Sequence, residues 1–258
     1  MSQPIITPRK FLHAIYSRDE LPPEIAGCTY AVVAFCQFRD MQRKLAVEPV
    51  SSSLFSLLHQ THQFIGHVAG RTILALENLQ GGPLAATVVE ELAHYGITQV
   101  LGYGYAGSLT RTVPIGQLVL AEDALISDGT SRAYLPHATR VGPAEPLVRQ
   151  MRTCAAQVGV GLYGATVWTT DALYREYPEE VAAWRARGAA VVNMDTAHFY
   201  AVSQVVGLSA AYACVVSNCV EAPTWDDGHQ DIPQAMGALQ DLIVATLTQI
   251  VGESSRNG

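Results

Sequence analysis

Charge is scarce in this chain, and so is cysteine. Of 258 residues, 16 are Lys or Arg and 23 are Asp or Glu, a charged fraction of 15% against an apolar fraction of 49%. The basic residues gather into no stripe, so the phosphate contacts on which nucleic-acid binding rests have no source, and no nucleic-acid partner is expected. A net charge of −7 speaks only to solubility. The five cysteines, Cys28, Cys36, Cys154, Cys214 and Cys219, are odd in number and form no CxxC pair. Neither a disulfide framework nor a thiolate metal site is indicated; reduced, buried thiols of a cytoplasmic protein are the expectation. HExxH, paired-histidine spacing and an Asp-rich cation loop are all missing, so neither metal nor cofactor is expected. No run reaches eighteen apolar residues and the N-terminus has no signal-peptide core, which predicts no membrane span.

Repeats, low-complexity stretches and divisive linkers are likewise absent, so residues 1–258 are expected to form one domain, with 1–28 as an extension placed at a subunit interface. Few charges beside a large apolar fraction point to surface buried between subunits, hence a homo-oligomer.

What the chain does have is an alternation of apolar bursts and helical segments. Strand-length bursts fall at Tyr30–Phe35, Thr72–Leu76, Gln99–Tyr103, Leu118–Ile126, Gly164–Thr169, Ala190–Asp195 and Ala211–Ser217. Several are apolar throughout, as strands covered on both faces must be. Helical patterns lie at Pro83–His94, Pro146–Val158, Glu179–Arg187, Thr196–Val206 and Ile232–Val251. The alternation predicts an α/β fold, a central mixed sheet flanked by helices, with a ligand crevice beyond the carboxyl ends of its strands.

"VVNMDTAHFYAV" (191–202) stands at one such end. Strand alternation puts Asn193 and Asp195 on one face. Two readings of Asp195 are open: an N-cap for the helix opening at Thr196, or a ligand-binding carboxylate. "GYGYAG" (102–107) invites comparison with a dinucleotide fingerprint, but "SLTRTVPIG" does not read as the helix such a motif requires. "APTWDDGHQD" (222–231) gathers Trp225, Asp226, Asp227, His229 and Asp231, a candidate acid–base pair or a solvated turn.

From about Val33 to Val251, an ordered set of blocks resembles the nucleoside phosphorylase superfamily of uridine phosphorylase, hexameric purine nucleoside phosphorylase and methylthioadenosine nucleosidase: "GGPLAATVVEELAHYG", "GYGYAGSL", "IGQLVLAEDALISDGTSRAYLP", "TTDALY" and "VVNMDTA". The last corresponds to a Glu-Met-Glu signature at the sugar. The resemblance implies that Asp195 accepts the sugar hydroxyls, with Met194 along the sugar and Asn193 in place of the first Glu. Leu173 and Tyr174 would wall the base, and Asn218 would hydrogen-bond it in place of a proton-donating Asp. Gly104 and Tyr105 fall in the glycine and hydroxyl positions of the Gly-rich strand end. His13 matches a His lent across a subunit interface to the sugar. The implied assembly is a dimer or hexamer.

The phosphate side departs from the family. Where a Gly-Asp-Pro loop is expected the chain reads "AFCQFRD"; one family Arg falls on Gly102, another on His62, and Arg39 is the remaining candidate. The uridine-type Gln/Arg pair has no clean match, although Arg175 and Glu176 lie near. Since each charge-assisted hydrogen bond contributes about 1.5–3 kcal/mol, a site without those cations holds phosphate poorly. The favoured expectation is therefore an enzyme acting on the N-glycosidic bond of a nucleoside or nucleoside-like metabolite without phosphate as nucleophile. The alternatives are a scaffold repurposed for another reaction or for binding alone, and a phosphorylase with an atypical phosphate site.

Overall fold

A computed structural model describes residues 4–17, 21–38, 40–221, 225–228 and 232–254. In chain order the elements are α1 (Pro8–Tyr16), β1 (Tyr30–Ala34), α2 (Met41–Leu45), β2 (Glu48–Pro49), β3 (Gln63–Val68), β4 (Arg71–Leu76), α3 (Gly82–His94), β5 (Gln99–Ser108), β6 (Leu118–Ile126), α4 (Gly129–Tyr134), β7 (Arg140–Val141), α5 (Glu145–Val158), β8 (Leu162–Thr169), α6 (Pro178–Ala186), β9 (Ala189–Asn193), α7 (Thr196–Val206), β10 (Ser209–Cys219) and α8 (Ile232–Ser254). The expected α/β class and central mixed sheet are observed.

The apolar strands are buried on both faces because helices cover both. In β1, Ala31 and Val33 join one hydrophobic cluster while Tyr30, Val32 and Ala34 join another. β10 divides in the same way, with Tyr212, Cys214 and Val216 against Ala211, Ala213 and Val215. The first cluster receives side chains of α3 and α7, the second those of α5 and α8. The period-2 alternation of each strand thus feeds two cores at once, which is why these segments read as unbroken apolar runs.

β1 pairs in parallel with β4 and β5, and β5 pairs in parallel with β10. From there the pairing runs β10–β6 antiparallel, β6–β8 parallel and β8–β9 parallel, and returns to β5 through an antiparallel contact at Gly107–Ser108. The sheet therefore curls into a closed ring of β5, β10, β6, β8 and β9, with β1, β4, β3 and β2 as an open wing. Register shifts at Val216/Asn218, Ala121/Asp123 and Thr166/Val167 supply the bends.

The glycines of "GYGYAG" serve this curvature. A Cβ on Gly102 would come within 2.8 Å of the Phe199 ring, and one on Gly104 within 2.5 Å of the Tyr212 hydroxyl. They lie inside β5, with no helix opening after them.

Boundaries differ from the sequence expectation in instructive places. β9 ends at Asn193, so Met194 and Asp195 belong to the turn before α7. β3 went unread because "QFIGHV" mixes amide, imidazole and glycine into a largely buried strand. α1 starts at a Thr7 cap followed by Pro8 and buries Leu12, leaving Phe11 and Ile15 exposed. α8 is long and apolar enough by composition to cross a bilayer, yet half of that window is buried within the domain.

Candidate active site

A cavity of about 290 Å³ opens beyond the carboxyl ends of β1, β5, β9 and β10. Its wall includes Phe35, Tyr105, Val192, Asn193, Met194, Asp195, Ser217 and Asn218, closed by Gln80 and Gly81 ahead of α3 and by Leu173 and Glu176 after β8. Residues from five separate strand ends thus meet at one point, as expected of ligand sites in such sheets.

The Asn193/Asp195 question resolves in the hydrogen bonds. Asn193 Oδ1 accepts the backbone N–H groups of Asp195 and Thr196, both at 3.2 Å, while its amide donates to Thr196 Oγ1 at 2.7 Å. At the end of β8, Thr169 Oγ1 accepts the N–H of Ala197 at 2.9 Å and donates to Asn193 Oδ1 at 3.3 Å. The donors that open α7 are satisfied from the strand ends, so the cap is Asn193, assisted by Thr169. Asp195 occupies the N-cap position at φ −132° and ψ −45° without a side-chain cap.

The Asp195 carboxyl is thereby free to face the cavity. The Tyr212 hydroxyl donates to its Oδ2 at 3.0 Å, across the space left by the absent Gly104 Cβ. Burial pushes its pKa up to about 7, with the Tyr212 hydrogen bond opposing. A carboxyl in that range exchanges its proton near neutrality and accepts two hydroxyls when ionised.

Asn218 follows the register shift in β10, where Ser217 Oγ lies 2.9 Å from its Oδ1. A Cβ on Gly107 would lie 3.1 Å from Asn218 Nδ2, so β5 makes room for the amide.

The structure brings Asp195, Asn193, Met194, Tyr105, Asn218 and Leu173 to one cavity, with Gly104 beneath it. Other candidates lie elsewhere. Tyr174 is 87% exposed and outside the wall, because the short turn at Leu173–Arg175 directs its side chain to solvent. His13 is exposed on α1, away from the wall. His62 pairs at 3.2 Å with Glu77, whose second oxygen accepts the N–H of Phe38, so its imidazole serves the loop before α2. Arg39, His229 and Asp231 lie outside the described residues. Asp226 forms a backbone bridge with Cys219, and Trp225 is 70% exposed.

Glu176, noted in the sequence only as lying near the place of the missing Gln/Arg pair, was given no role there. It lies on the cavity wall, half-buried, and burial alone pushes its carboxyl up to about 7. Its neighbours Glu179 and Glu180 look the same in sequence but lie in the first turn of α6. Among the described residues on this wall there is no Lys, Arg or His.

Fold and crevice together define an α/β protein with a cavity at its strand ends. The particular family follows from comparison: residues 25–248 match the phosphorylase superfamily, and the chain belongs to it. It is 33% identical to an uncharacterized protein, R802, of Acanthamoeba polyphaga mimivirus, over 96% of this chain and 100% of that one. It is 28% identical to a guanosine phosphorylase of Halorubrum lacusprofundi over 53% of this chain and 56% of the other, so that match spans about half of each. A DeoD-type purine nucleoside phosphorylase of Caldanaerobacter subterraneus subsp. tengcongensis is 25% identical over 60% of this chain and 68% of its own.

Proposed function

We propose that this chain cleaves the N-glycosidic bond of a nucleoside or nucleoside-like metabolite with water, rather than phosphate, as the acceptor. Two relatives named for guanosine and purine nucleoside phosphorolysis support the nucleoside part of this reading. The acceptor part rests on one observation: the described wall of the cavity carries two carboxyl groups, Asp195 and Glu176, and no cationic side chain.

Charge decides between the acceptors. At an effective dielectric of about 20, a carboxylate about 5 Å from a unit negative charge raises its energy by about 3 kcal/mol. A phosphate dianion entering beside such groups is repelled, whereas water is indifferent. The ionised Asp195 likewise favours the positive charge that develops on the sugar as the bond to the base breaks. In this reading the sugar hydroxyls donate to Asp195, Met194 packs along the sugar, and the Asn218 amide holds the base, with Leu173 as an apolar wall. Asn193 acts indirectly, by fixing the backbone that carries Asp195.

The test is release of free sugar from guanosine, adenosine and uridine in phosphate-free buffer. Hydrolysis at a rate unchanged by added phosphate is expected; strict dependence on phosphate with formation of sugar 1-phosphate would overturn the reading. Nucleoside binding without turnover in either buffer would leave the repurposed scaffold in its place.

The working unit in this proposal is a homo-oligomer. Ile5, Ile6, Phe11 and Ile15 are 88%, 69%, 36% and 44% exposed on the N-terminal segment, a set of exposed apolar side chains suited to a second copy. Light scattering on the purified protein is expected to give at least twice the 27.7 kDa chain mass; a monomeric mass at micromolar concentration would refute this part.

A further inference from the structure

The departing base needs a proton, and the residue sequence position offers for it, Asn218, has none to give. An amide donates a hydrogen bond but cannot complete the transfer. We propose that Glu176 is the general acid of this site, delivering its proton to a ring nitrogen of the leaving base. This inference rests on the glycosidic-bond reading above and adds the residue that makes the bond breakable.

Three features place Glu176 in that role. It lies on the cavity wall with Leu173, in the segment after β8, and shares that wall with Asn218 at the end of β10. It is half-buried at the end of a turn, and among the described residues no cation or hydrogen-bond donor meets its carboxyl, so none of them holds it ionised. Burial pushes its pKa up to about 7, where a general acid is both protonated and willing to release the proton.

Asp195 is the less suitable donor although burial lifts it to the same value, about 7. The Tyr212 hydroxyl donates to it, and sugar hydroxyls in the cavity add further donors, all of which favour its ionised form. Two carboxyl groups with the same starting chemistry are thus divided by their surroundings into a binding anion and a proton donor.

The step balances with water as the only co-reactant. The C1′–N bond breaks, its electron pair stays on the base nitrogen, and the Glu176 proton moves to the base. The oxygen of water bonds to C1′, and the proton it sheds returns the Glu176 carboxylate to its acid form. Free sugar and neutral base are the products.

The experiment compares guanosine with 7-methylguanosine, whose base already carries positive charge and departs without a proton. Both substrates share the sugar, so sugar binding by Asp195 affects them alike. For Glu176→Gln, kcat on guanosine is expected to fall by about 100-fold or more, while the fall on 7-methylguanosine stays below about 5-fold. The wild-type kcat on guanosine is expected to decline above about pH 7 and that on 7-methylguanosine to lack this limb. Equal losses on the two substrates, or no loss on guanosine, would overturn the proposal while leaving the glycosidic reading intact. Phosphate-dependent cleavage by the wild type would remove water as the acceptor but still let the ratio judge Glu176. Failure of the wild type to cleave 7-methylguanosine, guanosine, adenosine and uridine alike would overturn both readings together.

Discussion

The two ends of the cavity, which the proposed function gives to the sugar and to the base, are built in opposite ways. At the sugar end, Asp195 sits on a helix start that is wired into the sheet: Asn193 and Thr169, from adjacent strand ends, satisfy the first donors of α7, and residues 196–203 of that helix are all buried. At the base end, Glu176 sits in a short turn whose neighbours Leu173 and Tyr174 are 53% and 87% exposed. One carboxyl is held by the core; the other rides on a loop. The lesson is that geometry at the sugar is a by-product of folding, whereas geometry at the base is set locally and is free to vary without disturbing the fold.

The sharpest way to break this comparison is Asn193→Ala. The change leaves the N–H groups of Asp195 and Thr196 without their acceptor inside a buried helix start. Loss of a cap together with unpaired buried donors predicts a destabilisation of about 3 kcal/mol, read from the midpoint of urea unfolding at constant m-value. Asn193→Asp keeps the acceptor and is expected to recover much of that loss. If alanine costs less than about 0.5 kcal/mol, water has replaced the side chain and the sugar end is no more locked than the base end.

How much of this was legible in the sequence follows the same division. The strands that build the double core announced themselves because Val, Leu and Ala fill both faces, and Leu118–Ile126 and Thr196–Val206 fall where the pattern put them. The carboxylate at Asp195 was legible as one of two readings. That its side chain leaves the capping to Asn193 was not, because this depends on Thr169 and Asn193 meeting across two strands although they are 24 residues apart in the chain. The closing of the sheet into a ring was hidden too, since it is set by register shifts and by the close approach of Gly104 to Tyr212, both properties of paired strands rather than of one segment. Glu176 was the least legible. Nothing local separates it from Glu179 and Glu180, and only its position on the cavity wall does. Tyr174 erred the other way: an aromatic beside Leu173 looks like a wall, yet a turn of this length shows its side chains to opposite sides.

The finer test sets the two carboxyl groups against each other in stability rather than in rate. Both have folded-state pKa values raised to about 7 from ordinary carboxylate values, so between about pH 4 and pH 7 the folded chain binds more protons than the unfolded one. Stability therefore falls as pH rises through that window and levels off above it, the reverse of an ion-paired carboxylate. Asp195→Asn removes the penalty while an amide oxygen remains to accept from Tyr212. At pH 8 it is expected to unfold about 2 kcal/mol later than the wild type, a gain that shrinks towards zero near pH 4. Glu176 is half-buried and partly screened by water, so Glu176→Gln is expected to gain less than about 0.5 kcal/mol over the same range. Urea melts at pH 4, 6 and 8 on the wild type and the two variants decide the matter. A gain for Glu176→Gln as large as that for Asp195→Asn would mean that the base end is buried as deeply as the sugar end. A loss for Asp195→Asn would mean that its carboxylate is stabilised by a partner the cavity does not display, and a cation would have to be sought there after all.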